Sequence, residues 1–254
     1  MRKLVIFISI FVFLSSFFGC KSQETEKQVN SWDRDTLYQT SIYKALSEGV
    51  FTGDKTILEI QRYGDFGLGT FNDLDGEMIA FDGQFYQIDE KAQAFQASED
   101  VKCPYAIVTF FDPDSNVQIN EPLDFNQFQE FLLSSLPTEN LFFAIKVKGL
   151  FPYIKIRSIP AQTKPYLKLN EVLENQPTFE FQDVKGTLVG FFVPTYITDI
   201  NTPGFHFHFL TEDKSSGGHL LTCQVESADV EIDQISKYHI ELIQSEDFYK
   251  IDLQ

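Results

Sequence analysis

The chain has 254 residues, 37 of them acidic against 20 basic, and a formal net charge of −17, with an aromatic fraction of 15% that includes 27 Phe. That length can bury a full core as one large domain or two small ones. The acidity repels phosphate backbones and excludes nucleic acid as a partner, while the aromatic content suits thick β-sheet packing.

At the N-terminus, Arg2 and Lys3 precede a largely apolar run from Leu4 through Phe18 that ends at Gly19-Cys20. A small residue directly before Cys predicts a lipoprotein signal over residues 1–19, with Cys20 lipidated and the mature chain exported and anchored to a bacterial membrane, on its periplasmic or cell-surface side. A spanning helix is the competing reading. The run falls short of the roughly 18 apolar residues such a helix needs, and Lys21 follows at once. Residues 20–33 contain almost nothing to bury and are expected to form a flexible tether. Without residues 1–19 the chain keeps 18 basic and 37 acidic residues, a net of −19.

Residues 34–168 are expected to form an N-terminal mixed α/β domain. Leu37, Ile42, Tyr43 and Leu46 predict a first helix over 35–48, stopped at Gly49. Strands are expected over 56–61 and 64–71, where the spaced glycines Gly64, Gly67 and Gly69 point to close backbone approach. Asp82-Gly83 between the apolar runs 77–81 and 84–88 is a hairpin signal. A buried strand over 105–111 follows, then a helix capped by Asp124 and ending before Pro137. Strands at 141–147 and 153–159 come next, the second with Tyr153, Lys155 and Arg157 on one face and Ile154 and Ile156 on the other.

Residues 169–254 are expected to form a C-terminal β-rich, metal-binding domain that opens with a short helix at 169–175. Short strands at 186–193, 205–210, 219–225, 228–232 and 238–243 predict an antiparallel sheet or partial barrel. The fold class expected is thus α/β in the α+β, β-rich sense, with two domains. Cys103 and Cys223 lack the spacing of a redox or zinc pair. They are expected as buried single thiols, with a disulfide between them left open.

Three of the four histidines fall within fourteen residues, in Phe205-His206-Phe207-His208-Phe209 and Ser215-Ser216-Gly217-Gly218-His219. Period-two geometry puts His206 and His208 on one strand face and the Phe residues on the other. The Ser-Ser-Gly-Gly segment reads as a turn that returns His219 to the pair. Three neutral imidazoles with one position open describe a catalytic site for zinc or a similar divalent metal. A solvated polar hairpin is the bland alternative. His239 stands apart and reads as a sheet residue, and Asp65 and Asp75 read as turn or cap residues.

The runs Tyr63-Gly64-Asp65-Phe66-Gly67-Leu68-Gly69-Thr70-Phe71, Leu74-Asp75-Gly76-Glu77 and Asp82-Gly83-Gln84-Phe85-Tyr86 resemble the signature of the α-acetolactate decarboxylases. So do Leu141-Phe142-Phe143-Ala144-Ile145, Lys164-Pro165-Tyr166, Gly186-Thr187-Leu188-Val189-Gly190-Phe191 and Gly204-Phe205-His206-Phe207-His208-Phe209, in order, from about Leu37 to about Phe248. The resemblance implies a two-domain α/β fold with zinc on His206, His208 and His219, one divalent ion per chain. It further implies Arg157 as the substrate-binding arginine and Glu77 as an active-site glutamate. By themselves Arg157 reads as a surface residue on a polar strand face and Glu77 as an exposed acid beside a hairpin.

The implied reaction is zinc-dependent decarboxylation of 2-acetolactate to acetoin and CO₂ through a metal-stabilised enediolate, with Arg157 on the carboxylate and Glu77 in proton transfer. The expected partners are this small 2-hydroxy-3-oxo acid and, through Cys20, the membrane, with a homodimer left open. Family members usually carry another functional glutamate in a C-terminal extension, and this chain stops at Gln254 before that segment. Another acid substitutes, the role is dispensable, or the activity is altered. Two alternatives compete. His206-x-His208-x-x-x-Glu212 matches half of a cupin metal motif, and a lipid-anchored binding protein can keep the fold without turnover.

Overall fold

The structure, a computed structural model, describes residues 33–254. The signal segment, Cys20 and the tether through residue 32 lie outside the described residues. In chain order the elements are β1 (Thr36–Thr40), α1 (Tyr43–Ser47), β2 (Lys55–Thr56), α2 (Ile57–Ile60), β3 (Phe66–Thr70), β4 (Glu77–Phe81), β5 (Gln84–Ile88), β6 (Ala94–Gln96), β7 (Lys102–Cys103), β8 (Tyr105–Thr109) and β9 (Ser115–Ile119). There follow α3 (Phe125–Ser135), β10 (Phe142–Arg157), α4 (Leu169–Leu173), β11 (Thr178–Val193), β12 (Gly204–Thr211), β13 (Gly217–Gln224), β14 (Ser227–Ile235), β15 (Lys237–Glu241) and α5 (Glu246–Lys250). No described helix is long and apolar enough to cross a membrane.

Two sheets carry the fold, which is α+β and β-rich as expected. The first runs β15-β1-β8-β3-β4-β5-β6 and the second β11-β12-β13-β10-β14-β9, with a further pairing of β11 to β10. Strands on both sides of residue 168 contribute to each: β9 and β10 join the second sheet, and β15 returns to the first. An apolar layer between the sheets includes Leu68, Ile79, Ile107, Val189, Phe191 and Leu210.

Two local expectations are corrected. Residues 35–42 are not helical: Thr36–Thr40 is a strand, paired parallel to β15 and antiparallel to β8. All five residues of β1 are buried, so covered faces on both sides displaced the helical reading that Leu37, Ile42, Tyr43 and Leu46 suggested. The strand expected over 56–61 is mostly the short helix α2, because Thr56 and Glu59 form a reciprocal capping box that closes a turn. The Asp82-Gly83 hairpin stands as read, with positive φ at both residues (51° and 72°).

The strands expected at 141–147 and 153–159 are one sixteen-residue strand, β10. Its first part, Phe142–Leu150, pairs with β14, and its last, Tyr153–Arg157, pairs with β13. Pro152 lies where the partner changes and is in neither ladder, the position a residue without an N–H tolerates. Because β10 also pairs with β11 throughout, strands β11, β12, β13 and β10 close on themselves, which accounts for the partial barrel.

Helix α3 packs against this ring. Asp124 and Gln127 form its capping box, and Phe128 and Leu132, one turn apart, are buried with Phe207, Phe209 and Ile154. Phe128→Ala is expected to destabilise the protein by about 3–5 kcal/mol in urea unfolding. A loss below about 1 kcal/mol would show that the helix does not support the ring.

Candidate metal and substrate site

Phe207 and Phe209 of β12 turn into the barrel core, so the alternate residues His206 and His208 face the first sheet. The ladders then align the remaining groups in one row. His208 stands opposite His219 on β13, and His219 stands opposite Arg157 at the end of β10. The turn between β12 and β13 is built by Asp213, whose carboxylate accepts from Thr211 Oγ1 (2.7 Å) and from the Ser215 hydroxyl (2.8 Å). Gly217 and Gly218 therefore open β13 instead of forming the turn. A side chain at Gly218 would put Cβ 2.4 Å from the Arg157 carbonyl oxygen.

Three ring nitrogens converge. His219 Nδ1 lies 3.2 Å from His206 Nε2 and 3.3 Å from His208 Nε2. A tetrahedral ion with metal–nitrogen bonds of about 2.0–2.1 Å requires ligand separations of about 3.3–3.4 Å; both distances from His219 are close to this, and all three ligand atoms lie within 4.8 Å of one another, a group that could hold an ion. His208 Nδ1–H donates to the Met78 carbonyl at 2.8 Å, which aims its Nε2 into the cluster. Burial favours the neutral imidazoles. It pulls His206 down to about 3 and holds His208 and His219 well below the ordinary histidine range, with Arg157 adding repulsion. Their lone pairs are thus available to an ion at neutral pH.

Met78 and Glu77 belong to β4, so the first sheet supplies the far side of the site. Glu77 is only 5% exposed, not the exposed acid its local sequence suggests. Its Oε2 sits 3.4 Å from His208 Nε2, and its buried Oε1 has no hydrogen-bond partner among the described residues. Burial raises the Glu77 carboxyl to about 7, with the Arg157 charge opposing. The converging neutral nitrogens make a donor set suited to a divalent metal, with the Glu77 carboxyl beside it.

These groups open on a cavity of about 190 Å³. Arg157 and Thr70 line it with the histidines and Glu77, and Tyr43, Leu46, Leu74, Tyr105, Ile159, Leu169 and Leu173 supply an apolar wall. The Arg157 guanidinium donates from Nη1 to Gln176 Oε1 at 2.8 Å. A larger open groove, about 620 Å³, holds Lys146, Lys148, Lys185 and Lys214. It also holds Asp82, Glu212 and Asp229, and Lys146 pairs with Glu231 at 2.5 Å, so its charges cancel.

The three histidines read from strand geometry, His206, His208 and His219, and the two residues implied by resemblance, Arg157 and Glu77, meet at this cavity. Glu212 does not; it is exposed, in the turn after β12, and outside the three-histidine group. His239 lies on β15, while Asp65 and Asp75 accept hydrogen bonds from Phe111 N–H and Gln87 Nε2. Cys103 and Cys223 are free and buried, and burial pushes the Cys223 thiol up to about 12. Gln176 and the Met78 carbonyl carried no local signal in the sequence, and although the sequence predicts helices over 35–48 and 169–175, nothing local showed that α1 and α4 wall the cavity.

Fold and site together define a β-rich α+β protein with a buried centre able to hold a divalent metal beside a small-molecule cavity. Proteins of known type give that class its family. Residues 37–254 match the family model described as alpha-acetolactate decarboxylase. An alpha-acetolactate decarboxylase of Methanosarcina mazei is 44% identical over 219 residues, covering 86% of this chain and 76% of the relative. The crystal structure of alpha-acetolactate decarboxylase from Bacillus subtilis superimposes with a TM-score of 0.84 at 39% identity, over 86% of this chain and 93% of that one. A Staphylococcus aureus structure, described as similar to alpha-acetolactate decarboxylase, gives a TM-score of 0.83 at 31% identity over 86% of this chain and 94% of that one. The chain belongs to the alpha-acetolactate decarboxylase family.

Proposed function

We propose that this chain decarboxylates 2-acetolactate to acetoin and CO₂ with a zinc ion held by His206, His208 and His219. The observation that carries the reading is the convergence of three neutral ring nitrogens within 4.8 Å of one another, in a cavity that also presents a guanidinium and a buried carboxyl. When bound, the ion supplies a Lewis acid beside the substrate's hydroxyl and ketone oxygens, where negative charge collects. Arg157 binds the substrate carboxylate with the guanidinium N–H groups that Gln176 leaves unused, and so orients the bond to be broken. As CO₂ leaves, the electron pair of that bond passes to the substrate carbon and its neighbouring carbonyl. Glu77, raised by burial to about 7, is poised to exchange a proton near neutral pH and delivers one to that carbon. The apolar wall of Leu74, Ile159, Leu169 and Leu173 receives the two methyl groups and excludes water. Export and lipid anchoring through Cys20 belong to the same proposal and rest on the sequence pattern.

Purified protein supplied with racemic 2-acetolactate is expected to release acetoin and CO₂ well above the spontaneous rate, to lose this activity in a chelator, and to contain zinc by metal analysis. Absence of chelator-sensitive acetoin formation would sink the proposal and favour a binding protein on the same fold. Another ion at full activity would remove zinc alone, because three imidazoles also accept cobalt, nickel or iron.

A further inference from the structure

Arg157 faces the cavity, and its environment is unusual for a half-buried guanidinium. Among the described residues no carboxylate lies within ion-pair distance of it; its close polar partner is the neutral side-chain oxygen of Gln176, 2.8 Å from Nη1. A carboxylate there would fix the guanidinium equally well but cancel its charge. An amide oxygen fixes one N–H and leaves the charge for a ligand.

Gln176 is itself held. Its N–H donates to the Leu173 carbonyl at 3.4 Å, at the end of α4, and Leu169 and Leu173 of that helix line the cavity. On its other side the Pro177 carbonyl accepts from Ser158 N–H at 3.3 Å, and Thr178 pairs with Arg157 across β10 and β11. The residue that orients the guanidinium thus joins the apolar wall to the strand end bearing Arg157.

We propose that Gln176 is a positioning residue that aims Arg157 into the cavity while preserving its full charge, and that this neutral partner tunes the site for a substrate bearing a carboxylate. The proposal rests on the function given above and deepens it. Gln176 does not touch the substrate; it acts through Arg157.

Two near-isosteric substitutions test it on the metal-loaded protein. Q176M removes the acceptor, and Q176E keeps an acceptor but adds a charge that pairs with Arg157. For 2-acetolactate, KM is expected to rise about tenfold in Q176M and about thirtyfold or more in Q176E, with kcat within about threefold, as fits loss of one charge-assisted hydrogen bond and then of the free charge. The inhibition constant of acetoin, which keeps the hydroxyl and ketone but has no carboxylate, should stay within about twofold of the parent in both. Calorimetric binding of 2-hydroxy-2-methylpropanoate, a hydroxy-carboxylate without a ketone, should weaken in the same order and needs no turnover. Unchanged KM and unchanged hydroxy-carboxylate binding would overturn the proposal. So would an acetoin constant rising in parallel with KM, since that reports a collapsed wall. If the parent protein makes no acetoin but calorimetric binding of the hydroxy-carboxylate still weakens in the order Q176M, Q176E while that of acetoin does not, the functional reading fails and the positioning role stands.

Discussion

His208→Ala is expected to abolish metal retention and to lower kcat/KM for 2-acetolactate by about three orders of magnitude or more, since a Lewis acid supplies several kcal/mol and each tenfold in rate is about 1.4 kcal/mol. His208 is the best-fixed of the three imidazoles, 1% exposed and oriented through Nδ1 by the Met78 carbonyl on the opposite sheet. Its Nε2 faces both His219 Nδ1 and Glu77 Oε2, so its removal takes one corner from the donor set and separates Glu77 from the cluster. Glu212→Ala supplies the contrast. Glu212 is exposed on the turn, and its loss should leave metal and activity unchanged. Metal analysis, acetoin formation and far-UV circular dichroism on both variants decide the matter. Stoichiometric metal in folded His208→Ala would sink the three-histidine site, and metal lost from Glu212→Ala would replace it with a cupin-like one.

Glu77→Gln is expected to lower kcat by about 10²–10³ with little change in KM, the range for removing a positioned proton donor. The pH dependence of stability offers an independent check on the metal-free protein. Burial raises the Glu77 carboxyl from 4.5 to about 7, so the folded state prefers it protonated. Its stabilising contribution is complete below the unfolded value near 4.5 and is lost as pH rises to about 7, an effect of about 3 kcal/mol for a shift of this size. The histidines act with the opposite sign. Their folded-state values are depressed, so their contribution is present above about 6.5 and lost as pH falls. Both proteins share them, and the difference between parent and Glu77→Gln isolates the carboxyl. Urea unfolding of chelator-treated proteins should show the variant gaining on the parent between pH 4.5 and 7. A difference that does not vary with pH would mean that Glu77 is not buried in a desolvated site.

The site was more legible than parts of the scaffold around it. His206 and His208 are two apart on one strand and His219 follows a short turn, so strand periodicity alone brings the three nitrogens near one another. The reading of Gly217-Gly218 as the turn itself was displaced by two residue contexts: Asp213 organises the turn, and the Arg157 backbone passes too close to Gly218 for a side chain. Glu77 and Arg157 gave no such local signal. Each became a site candidate only through resemblance, because what distinguishes Glu77 from a surface acid is its burial against His208 of β12, far later in the chain.

What the chain determines by itself is what near neighbours in sequence control: the Asp82-Gly83 hairpin, the Asp124 cap of α3, the alternation of Phe and His along β12, and the three-imidazole cluster. Only the tertiary structure decided that Thr36–Thr40 is a strand, that β10 changes partners at Pro152, and that Gln176 orients Arg157. Periodicity and capping report which face of a segment is apolar and where it stops. Burial on both faces, exchange of ladder partners and contact across the two sheets depend on strands far away in sequence, and desolvation by those strands raises the Glu77 carboxyl from the ordinary range to about 7.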